Sequence, residues 1–441
     1  MADDLKLRVE ELTGSIVATR RALHKRPELG FEEHETADFV AARLRPLGLD
    51  VKTGVAKTGV VAVLRAAKPT AKPVLLRADM DALPIEEAPG RPYGSEIAGK
   101  MHACGHDGHM AMLLGAATVL SAIRGRLNRD VVFCFQPGEE GFGGADAMIR
   151  EGVLSEHGVS EAFGLHLWSL FPAGTIQVRP GPTMAAQDEF SATIVGRGGH
   201  GAMPHVARDP IVAAAQAIVA LQSVVARSVD PIQPAVVTVG SLHAGSAPNV
   251  IPESAAMRGT LRSFDDGVRE TLRVRVREVL EGSAAAAGCR LDFKLAPGYP
   301  AVVNDARAVE SVRRHAALVV GDANVVEPAP LAAAEDFAYF LRKVPGAFAF
   351  IGAGNAARGI VAPHHAPAFD IDESALPIGT EKQLAHGSVG YVVENFRIIS
   401  RPGLPDVRER YVESYSMAKA KVARGTGPLP VPPTTPPVPT T

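Results

Sequence analysis

The sequence contains few cysteines and no long apolar run. Only three cysteines occur in 441 residues, at positions 104, 134 and 289. An odd and sparse set argues against a disulfide framework and for a reducing compartment. The longest apolar runs fall well short of the roughly 18 residues that a membrane span requires. The charged N-terminus, MADDLKLRVEELTGS, lacks the apolar region of a secretory signal. We therefore expect a cytoplasmic protein with no membrane partner.

The sequence also lacks a strong net charge. Its 46 basic and 48 acidic residues give a formal net charge of -2, so no bulk field attracts nucleic acid or an anionic membrane. No Gly-x-Gly-x-x-Gly opens a helix after the first strand, which argues against a dinucleotide enzyme. The hydrophobic content of 46% and the charged content of 21% are ordinary for a globular protein. The length predicts two domains.

Alternating helix and strand patterns in the first part of the chain predict an α/β fold. The expected helices are 4–26, 35–47 and 109–124, and the expected strands are 60–64, 74–77 and 131–135. This alternation indicates a central sheet with helices around it. The first part of the resulting discontinuous domain is expected to cover residues 1–186.

The pattern changes near residue 186 and returns near residue 299. Expected strands at 190–196, 236–242, 255–262 and 289–295, with helices at 209–229 and 265–287, predict a compact α+β insert over 187–298. Helices at 305–320, 335–343 and 374–398, with a strand at 347–351, complete the first domain over 299–400. Residues 401–441 form an extension, with a helix expected near 405–420 and a disordered tail rich in Pro and Thr.

The stretch MHACGHDGH, residues 101–109, concentrates metal-ligand chemistry. It holds Cys104, Asp107 and the histidines 102, 106 and 109. Thiolate and imidazole suit a borderline ion such as zinc, and carboxylates suit most divalent ions. Cys104 and His106 are the expected ligands. His109 begins the next helix, and we interpret it as a packed or supporting histidine.

Other polar groups follow expected strands, where open α/β sheets place their sites. Asp79 and Asp81 end one strand at i and i+2, so they point to the same side. Glu139 and Glu140 follow another strand, and two adjacent carboxylates in a dry site repel each other. A metal resolves this conflict if one glutamate binds the ion and the other takes a proton from water. A surface acidic pair is the alternative.

Two further histidine segments remain ambiguous from local pattern alone. His166 lies in an apolar strand-like run, where a satisfied core histidine is the more common finding. His364 and His365 lie in a Pro-rich loop and are equally compatible with a plain surface. Spacing alone suggests one or two metal sites built from Cys104, His106, Glu140, His166 and one of the paired histidines, but only folding can bring them together.

These segments, in this order, resemble the aminoacylase and hippurate hydrolase family of metallopeptidases, in its amidohydrolase branch. That branch includes hippurate hydrolases, N-acetyl-diaminopimelate deacetylases and plant auxin-conjugate hydrolases. The matching stretches span residues 20 to 395 and include LLRADMDALPIEE, MHACGHDGHMAMLLGAA, FQPGEEGFGGA, GRGGHGAMPH, SAPNVIP, RGTLRSF, AEDFAYF and HHAPAFDIDE. The Phe142 that follows the glutamate pair departs from the family pattern, and we expect it to narrow the acyl side of the pocket.

The resemblance implies a role for each matching residue. The metal-ligand positions fall on Cys104, His106, Glu140, His166 and His365, the last because His365-Ala366-Pro367 fits the family's His-x-Pro pattern. The resemblance makes Glu139 the general base and places Asp79 and Asp81 in the catalytic aspartate motif. The insert corresponds to a lid and dimerisation domain, in which His200 polarises the scissile carbonyl, often across a dimer interface. Asn249 and Arg262 engage the substrate carboxylate, with Arg258 as a competitor.

The resemblance therefore implies a metal-dependent amidohydrolase that acts on N-acyl amino acids such as hippurate. One or two divalent ions (zinc, manganese, cobalt or nickel) are the expected cofactors, and a homodimer or dimer-based oligomer is expected. An N-acetyl amino acid deacetylase is the alternative within this class. A metal-binding relative without catalysis is the alternative from another class, although a pure binding site needs no free base.

Overall fold

The structure is a computed structural model that describes residues 2–387, 391–399 and 407–415. The chain divides into two compact units, Met1–Ser388 and Val389–Thr441. In the first unit the helices are α1 (Ala2–His24), α2 (His34–Leu44), α3 (His106–Ala122), α4 (Gly144–Arg150), α5 (Pro210–Ser228), α6 (Asp266–Ala286), α7 (Ala306–Val320), α8 (Ala338–Leu341) and α9 (Ala375–Gly387). The predicted sites all fall within this unit.

The strands of the first unit are numbered β1 to β16. They are β1 (Asp50–Val55), β2 (Gly59–Leu64), β3 (Val74–Asp79), β4 (Val131–Gln136), β5 (Glu161–Pro172), β6 (Ile176–Gln177), β7 (Gly181–Met184), β8 (Ala186–Val195), β9 (Gly199–His200), β10 (Ala235–Ala244), β11 (Val250–Ile251), β12 (Ser254–Ser263), β13 (Arg290–Pro297), β14 (Val302–Asn304), β15 (Val325–Val326) and β16 (Gly346–Gly354). In the second unit, β17 (Tyr391–Ile399) pairs antiparallel with β18 (Val407–Tyr415).

A mixed eight-stranded sheet forms the centre of the first unit, in the order β1-β2-β4-β3-β5-β16-β6-β15. Its middle strands β4, β3, β5 and β16 pair in parallel. Every residue of β2, β3 and β4 is buried, which is typical of a sheet covered on both faces. Because the carboxyl ends of parallel strands meet at one edge, β3 and β4 bring Asp79 and the segment after Gln136 side by side.

Residues 186–297 contain a second sheet, with the antiparallel order β10-β12-β8-β13. Helices α5 and α6 pack together and against this sheet. The buried side chains form a core of their own, centred on Phe190, Ile194, Leu221, Met257 and Leu280. The prediction of an α/β sheet with an inserted α+β layer is confirmed. The exact domain boundaries at 187 and 298 stay a prediction.

Three predicted helices differ from the structure. The helix expected over 374–398 ends at Gly387 and is followed by β17, and the helix expected near 405–420 is replaced by β18. The segments YVVENFRII and VRERYVESY are rich in β-branched and aromatic residues, which favour strands over helices. The helix expected over 335–343 is a single turn, α8. Residues 400–406 and 416–441 lie outside the described residues, so the predicted tail is not tested.

Helix α5 has an apolar outer face. Asp209 caps its N-terminus by accepting from the amides of Ile211 and Val212. Its inner face packs in the core of the insert through Ala213, Ala217, Leu221 and Val224, whereas Ile211, Val212 and Val219 are exposed. By length and composition alone the helix could cross a membrane. Its packing against the sheet instead leaves an apolar surface that a partner could cover.

Candidate metal centre

The structure brings the five predicted ligands together. Ligand atoms of Cys104, His106 and His166 all lie within 4.8 Å of one another, as do those of Cys104, Glu140 and His365. The Cys104 Sγ lies 3.5 Å from His166 Nε2, and His365 Nε2 lies 3.2 Å from Glu140 Oε1. Thiol, imidazole and carboxylate groups from four separate segments therefore converge on one point.

Two of the histidines present a free nitrogen to this cluster. His106 Nδ1 donates to the Asp81 carbonyl oxygen at 2.8 Å, and His166 Nδ1 donates to the Leu167 carbonyl oxygen at 2.7 Å. A carbonyl oxygen can only accept, so each Nδ1 carries a hydrogen and Nε2 faces the cluster. His106 Nε2 is buried and has no hydrogen-bond partner among the described residues. Such an atom is expected where an ion binds.

The neighbouring histidines are used elsewhere. His109 Nδ1 lies 2.5 Å from Asp79 Oδ1, and His109 Nε2 accepts from the Leu167 amide at 2.8 Å. His364 Nε2 donates to the Leu167 carbonyl oxygen at 3.0 Å, and its ring stacks on Trp168 at 4.3 Å. Because His364 is engaged in this way, His365 is the histidine of the pair that faces Glu140. The two contacts of His109 make it a packed residue.

Glu139 lies beside the cluster on a short loop. Residues 137–143, the Glu139 loop, follow β4, and the Glu139 side chain is 6% exposed. The two oxygens of Asp81 accept from the amides of Glu139 at 3.0 Å and Glu140 at 2.9 Å. Glu139 Oε1 accepts from the Asp336 amide at 3.4 Å. The loop thus points one glutamate to the ligand cluster and holds the other next to it.

A buried charge network supports the site, and sequence reasoning missed most of it. Arg77 on β3 is fully buried and donates to Asp79 at 2.6 Å, Glu335 at 2.9 Å and Asp336 at 3.1 Å. Gln136 accepts from Arg77 and donates to Asp336. The signal was present in the sequence, since a charged residue interrupts an otherwise apolar buried strand at Arg77. The sequence predicts no role for the acids of AEDFAYF, Glu335 and Asp336.

The electrostatics of the cluster favour a bound cation. Burial lowers the pKa of His106, but the Asp79 and Asp81 carboxylates outweigh it and raise that pKa to about 10. Burial, then Glu140 and Glu139, raise the pKa of the Cys104 thiol well above its ordinary range. Burial and the carboxylate of Glu335 likewise raise the pKa of Glu139. Excess negative charge therefore attracts a positive charge at His106 Nε2, where a proton and a metal ion compete. The donor set fits a divalent ion.

A cavity of about 550 Å³ opens beside these residues. Its walls come from the cluster, from the segment Ala333–Glu335 and from the insert, which contributes Gln187, Glu189 and Arg262. Trp168 and Met184 form an apolar part of the lining. Arg262 thus lines the same cavity as the expected metal ligands Cys104, Glu140, His166 and His365. Burial lowers the pKa of its guanidinium.

The other predicted residues of the insert are not in this cavity. His200 and Asn249 lie in the β9 and β11 region and are exposed, and Arg258 is an exposed strand residue 3.6 Å from Glu189. None of the three lines the cavity of its own chain. The expectation for Phe142 is wrong. Its side chain is 55% exposed, packs edge-on against Phe31 and does not line the cavity.

The sheet, the inserted layer and the convergent Cys, His and Glu side chains define a metal-binding hydrolase. The sequence model described as Peptidase family M20/M25/M40 matches residues 75–384. The thermostable carboxypeptidase 2 of Saccharolobus solfataricus is 39% identical over 399 residues, covering 90% of this chain and 99% of the relative. The N-acetyl-L-cysteine deacetylase of Bacillus subtilis is 43% identical over 365 residues, covering 83% of this chain and 85% of that relative.

Solved structures agree with these relatives. The YxeP protein of Bacillus subtilis, described as a dinuclear metal-binding peptidase of the M20 family, superposes with a TM-score of 0.73 at 35% identity. The match covers 86% of this chain and 98% of that chain. The chain belongs to peptidase family M20/M25/M40, as the resemblance predicted. It is a metal-dependent hydrolase of the amidohydrolase and peptidase type.

Proposed function

We propose that the protein hydrolyses the amide bond of N-acyl amino acids. The observation that carries this proposal is the position of Glu139, a buried carboxylate beside the ligand cluster, facing a cavity that also contains Arg262. A purely metal-storing site would not need the additional carboxylate. Both named relatives support the class, since an N-acetyl-L-cysteine deacetylase and a carboxypeptidase cleave amide bonds.

Cys104, His106, Glu140, His166 and His365 would hold one or two divalent ions. Zinc suits the thiolate, and manganese, cobalt or nickel are compatible with the imidazoles and the carboxylate. An ion in this position supplies Lewis acidity, which eases deprotonation of water and polarises a carbonyl oxygen. His109 and Arg77 hold Asp79 in place, and Asp81 fixes His106 through its carbonyl oxygen.

Glu139 acts as the proton carrier. Its carboxylate takes the proton of the water that attacks the amide carbon, and it then delivers that proton to the leaving amine. Burial, then the carboxylates of Glu335 and Glu140, raise the pKa of Glu139, so its carboxylate is a stronger proton acceptor than an ordinary glutamate. The products are a carboxylic acid and an amino acid.

Arg262 binds the carboxylate of the amino acid. A guanidinium suits a carboxylate because its planar fork donates two parallel hydrogen bonds. Trp168 and Met184 provide an apolar wall for the acyl group, which favours an aromatic acyl group as in hippurate. An N-acetyl amino acid deacetylase is the second candidate, favoured by the identity to the N-acetyl-L-cysteine deacetylase. Initial rates on N-benzoyl and N-acetyl forms of the same amino acids separate the two.

We further propose that a homodimer completes the site. The outer face of α5 and the edge strand β10, with Val236 and Leu242 exposed, offer an apolar surface for a second copy. His200 lies outside the cavity of its own chain and would reach that of a partner, where it polarises the carbonyl. A Val219→Asp variant should become monomeric in light scattering and lose most activity. A fully active monomer would contradict this arrangement.

The substitution Glu139→Gln tests the proposed chemistry. The metal content should stay near that of the wild type, because Glu140 rather than Glu139 is a ligand, while turnover of every N-acyl amino acid should be abolished. The matched variant Glu140→Gln should lose metal as well as activity. Substantial turnover by Glu139→Gln would refute the assigned role. A wild-type protein that binds metal but cleaves no member of a broad N-acyl panel would favour the non-catalytic alternative.

A further inference from the structure

Tyr299 connects the inserted layer to the Glu139 loop. It lies two residues after the end of β13, on the segment by which the chain leaves the insert. Its hydroxyl donates to the Glu139 carbonyl oxygen at 2.6 Å and accepts from the Gly143 amide at 3.0 Å. One hydroxyl group therefore closes both ends of the turn that carries Glu139 and Glu140.

The Glu139 loop depends on such external anchors. Gly138, Gly141 and Gly143 have positive φ angles of 58°, 90° and 72°, and glycine-rich segments lose much conformational entropy on ordering. The Gly138 amide is held by Glu33 and the next two amides by Asp81. The Glu139 carbonyl accepts from the Tyr299 hydroxyl and from the Gly141 amide, and the Gly143 amide donates to the Tyr299 hydroxyl. Without that hydroxyl, the Glu139 carbonyl keeps only the Gly141 amide, and the Gly143 amide loses its described partner.

The backbone of Tyr299 is held where the chain enters the insert, near Gln187, and where it leaves the insert, near Gly298. The Gln187 amide donates to the Tyr299 carbonyl oxygen at 3.0 Å. The preceding residue, Gly298, donates its amide to Asp188 Oδ1 at 3.0 Å and accepts from Arg269 at 2.9 Å. Asp188, 1% exposed, accepts paired hydrogen bonds from both Arg269 and Arg273 on α6. A rigid ionic clamp thus locks the entry and exit strands of the insert together.

We propose that Tyr299 is a positioning residue that transmits the placement of the insert to Glu139. The clamp of Asp188, Arg269 and Arg273 fixes the crossing strands, and the Tyr299 hydroxyl passes their position to the backbone of Glu139. This proposal rests on the proposed function of Glu139 as the proton carrier. Its physical basis is that a displacement of about 1 Å in a reacting group can lower a rate about 100-fold.

The variant Tyr299→Phe tests this role because it removes one oxygen atom and keeps the ring. We expect kcat to fall about 10- to 100-fold while KM changes less than about threefold and metal content stays normal. Tyr339→Phe is the matched control. Tyr339 packs edge-on against Tyr299 at 6.1 Å, and its hydroxyl makes no hydrogen bond among the described residues. Equal kcat values for the two variants would overturn the proposal.

A second measurement does not depend on activity. Hydrogen exchange of the metal-free protein should be faster in Tyr299→Phe for amides of residues 139–145 and unchanged in the preceding strand β4. Unchanged exchange in the loop would overturn the anchor. If Glu139→Gln retains turnover, the proposed function fails, but this exchange result still reports on the anchor separately.

A double-mutant cycle tests the connection to the clamp. Arg273→Gln removes one of the two guanidinium groups on Asp188 and leaves Arg269. It should lower kcat in the wild-type background and have little further effect when Tyr299 is already phenylalanine, because both changes interrupt the same connection. The proposal would be contradicted if Arg273→Gln lowered kcat by the same factor in both backgrounds, or if it had no effect on kcat in the wild-type background. Either result would show that the insert does not act through Tyr299.

Discussion

Asp81 holds the backbone of Glu139 with a carboxylate oxygen 3.0 Å from its amide nitrogen. The second oxygen of Asp81 holds the next amide in the same way. Asp81 is 1% exposed and lies two residues after the end of β3, whereas the glutamates follow β4. Asp81 thus positions the loop that carries both a predicted metal ligand, Glu140, and the proposed base, Glu139. Asp79 has a parallel task, since it contacts Arg77 and His109.

Replacing Asp81 with asparagine should destabilise the protein and slow catalysis. Two backbone amides need two acceptors, and asparagine offers only one, so one buried N–H group would face an NH2 group. The expected cost is about 1–3 kcal/mol in the free energy of unfolding. Urea denaturation measures it, with the exposed Asp38→Asn as control. Equal midpoints for the two variants would contradict the anchoring role.

Removing the charge of Arg77 should be among the most destabilising single changes. In Arg77→Met the carboxylates of Asp79, Glu335 and Asp336 lose their shared buried cation. Breaking a buried pair in this way costs about 3–5 kcal/mol. The control Arg65→Met removes an exposed arginine that pairs with Asp130, for which less than about 1 kcal/mol is expected. Chemical denaturation compares the two, and similar losses would show that the network is not the source of stability.

The arginine that binds the substrate carboxylate can be identified by kinetics. Arg262→Ala should raise KM about 10- to 100-fold for N-acyl amino acids, which corresponds to the loss of one charged hydrogen-bonding partner. It should have little effect on the corresponding N-acyl amino acid amides, which lack the carboxylate. Arg258→Ala separates the two candidates because Arg258 does not line the cavity. A larger effect of Arg258→Ala would reverse the assignment.

Glu87 should contribute stability that is lost in acid. Burial raises its pKa, but hydrogen bonds with His24, the Ser95 amide and Arg91 outweigh this and lower the pKa to about 2 from an ordinary value of 4.5. A carboxyl group whose pKa is lower in the folded state stabilises the protein at pH values above its unfolded-state pKa. This stabilisation is lost as the pH falls toward the folded-state pKa.

A comparison of the wild type with Glu87→Gln tests the predicted direction of this pH dependence of stability. The melting temperature of the wild type should exceed that of Glu87→Gln near pH 6, and the difference should shrink between about pH 4.5 and pH 2. Glu310→Gln, an exposed change on α7, should show no such pH-dependent difference. A gap between wild type and Glu87→Gln that grows as the pH falls would contradict the lowered pKa.

Local sequence predicted the parts of the site that are close in the chain. Cys104 and His106 lie two residues apart, a spacing that suggests shared metal ligation. Glu139 and Glu140 are adjacent carboxylates that would repel each other unless one binds a metal. Both pairs could therefore be found from spacing and charge. The buried strands β2, β3 and β4 followed from short apolar runs. His166 could not be distinguished from a core histidine, because its neighbour Cys104 lies 62 residues earlier, in the segment before α3, and only the fold brings the two side chains together.

Residues that act through backbone atoms left no recognisable sequence signal. Tyr299 binds a carbonyl and an amide of the Glu139 loop, and neither contact depends on a motif around Tyr299. The choice of His365 over His364 rested on the family resemblance, and only the fold shows that His364 is occupied by Leu167 and Trp168. Arg77 is recognisable as a charge in an apolar strand, but of its three acidic partners only Asp79 is close in sequence, and Glu335 and Asp336 come from one distant segment.

The position of the bound ion tests the central claim most directly. An anomalous difference map of crystals reconstituted with zinc should show a peak about 2.3 Å from Cys104 Sγ and about 2.0–2.2 Å from nitrogen or oxygen ligands of the same cluster. Glu140, His166, His106 and His365 should supply those ligands, and Glu139 should remain unbound. A peak at a different place, or one bound by Glu139 and not by Cys104 or His365, would contradict the proposed centre.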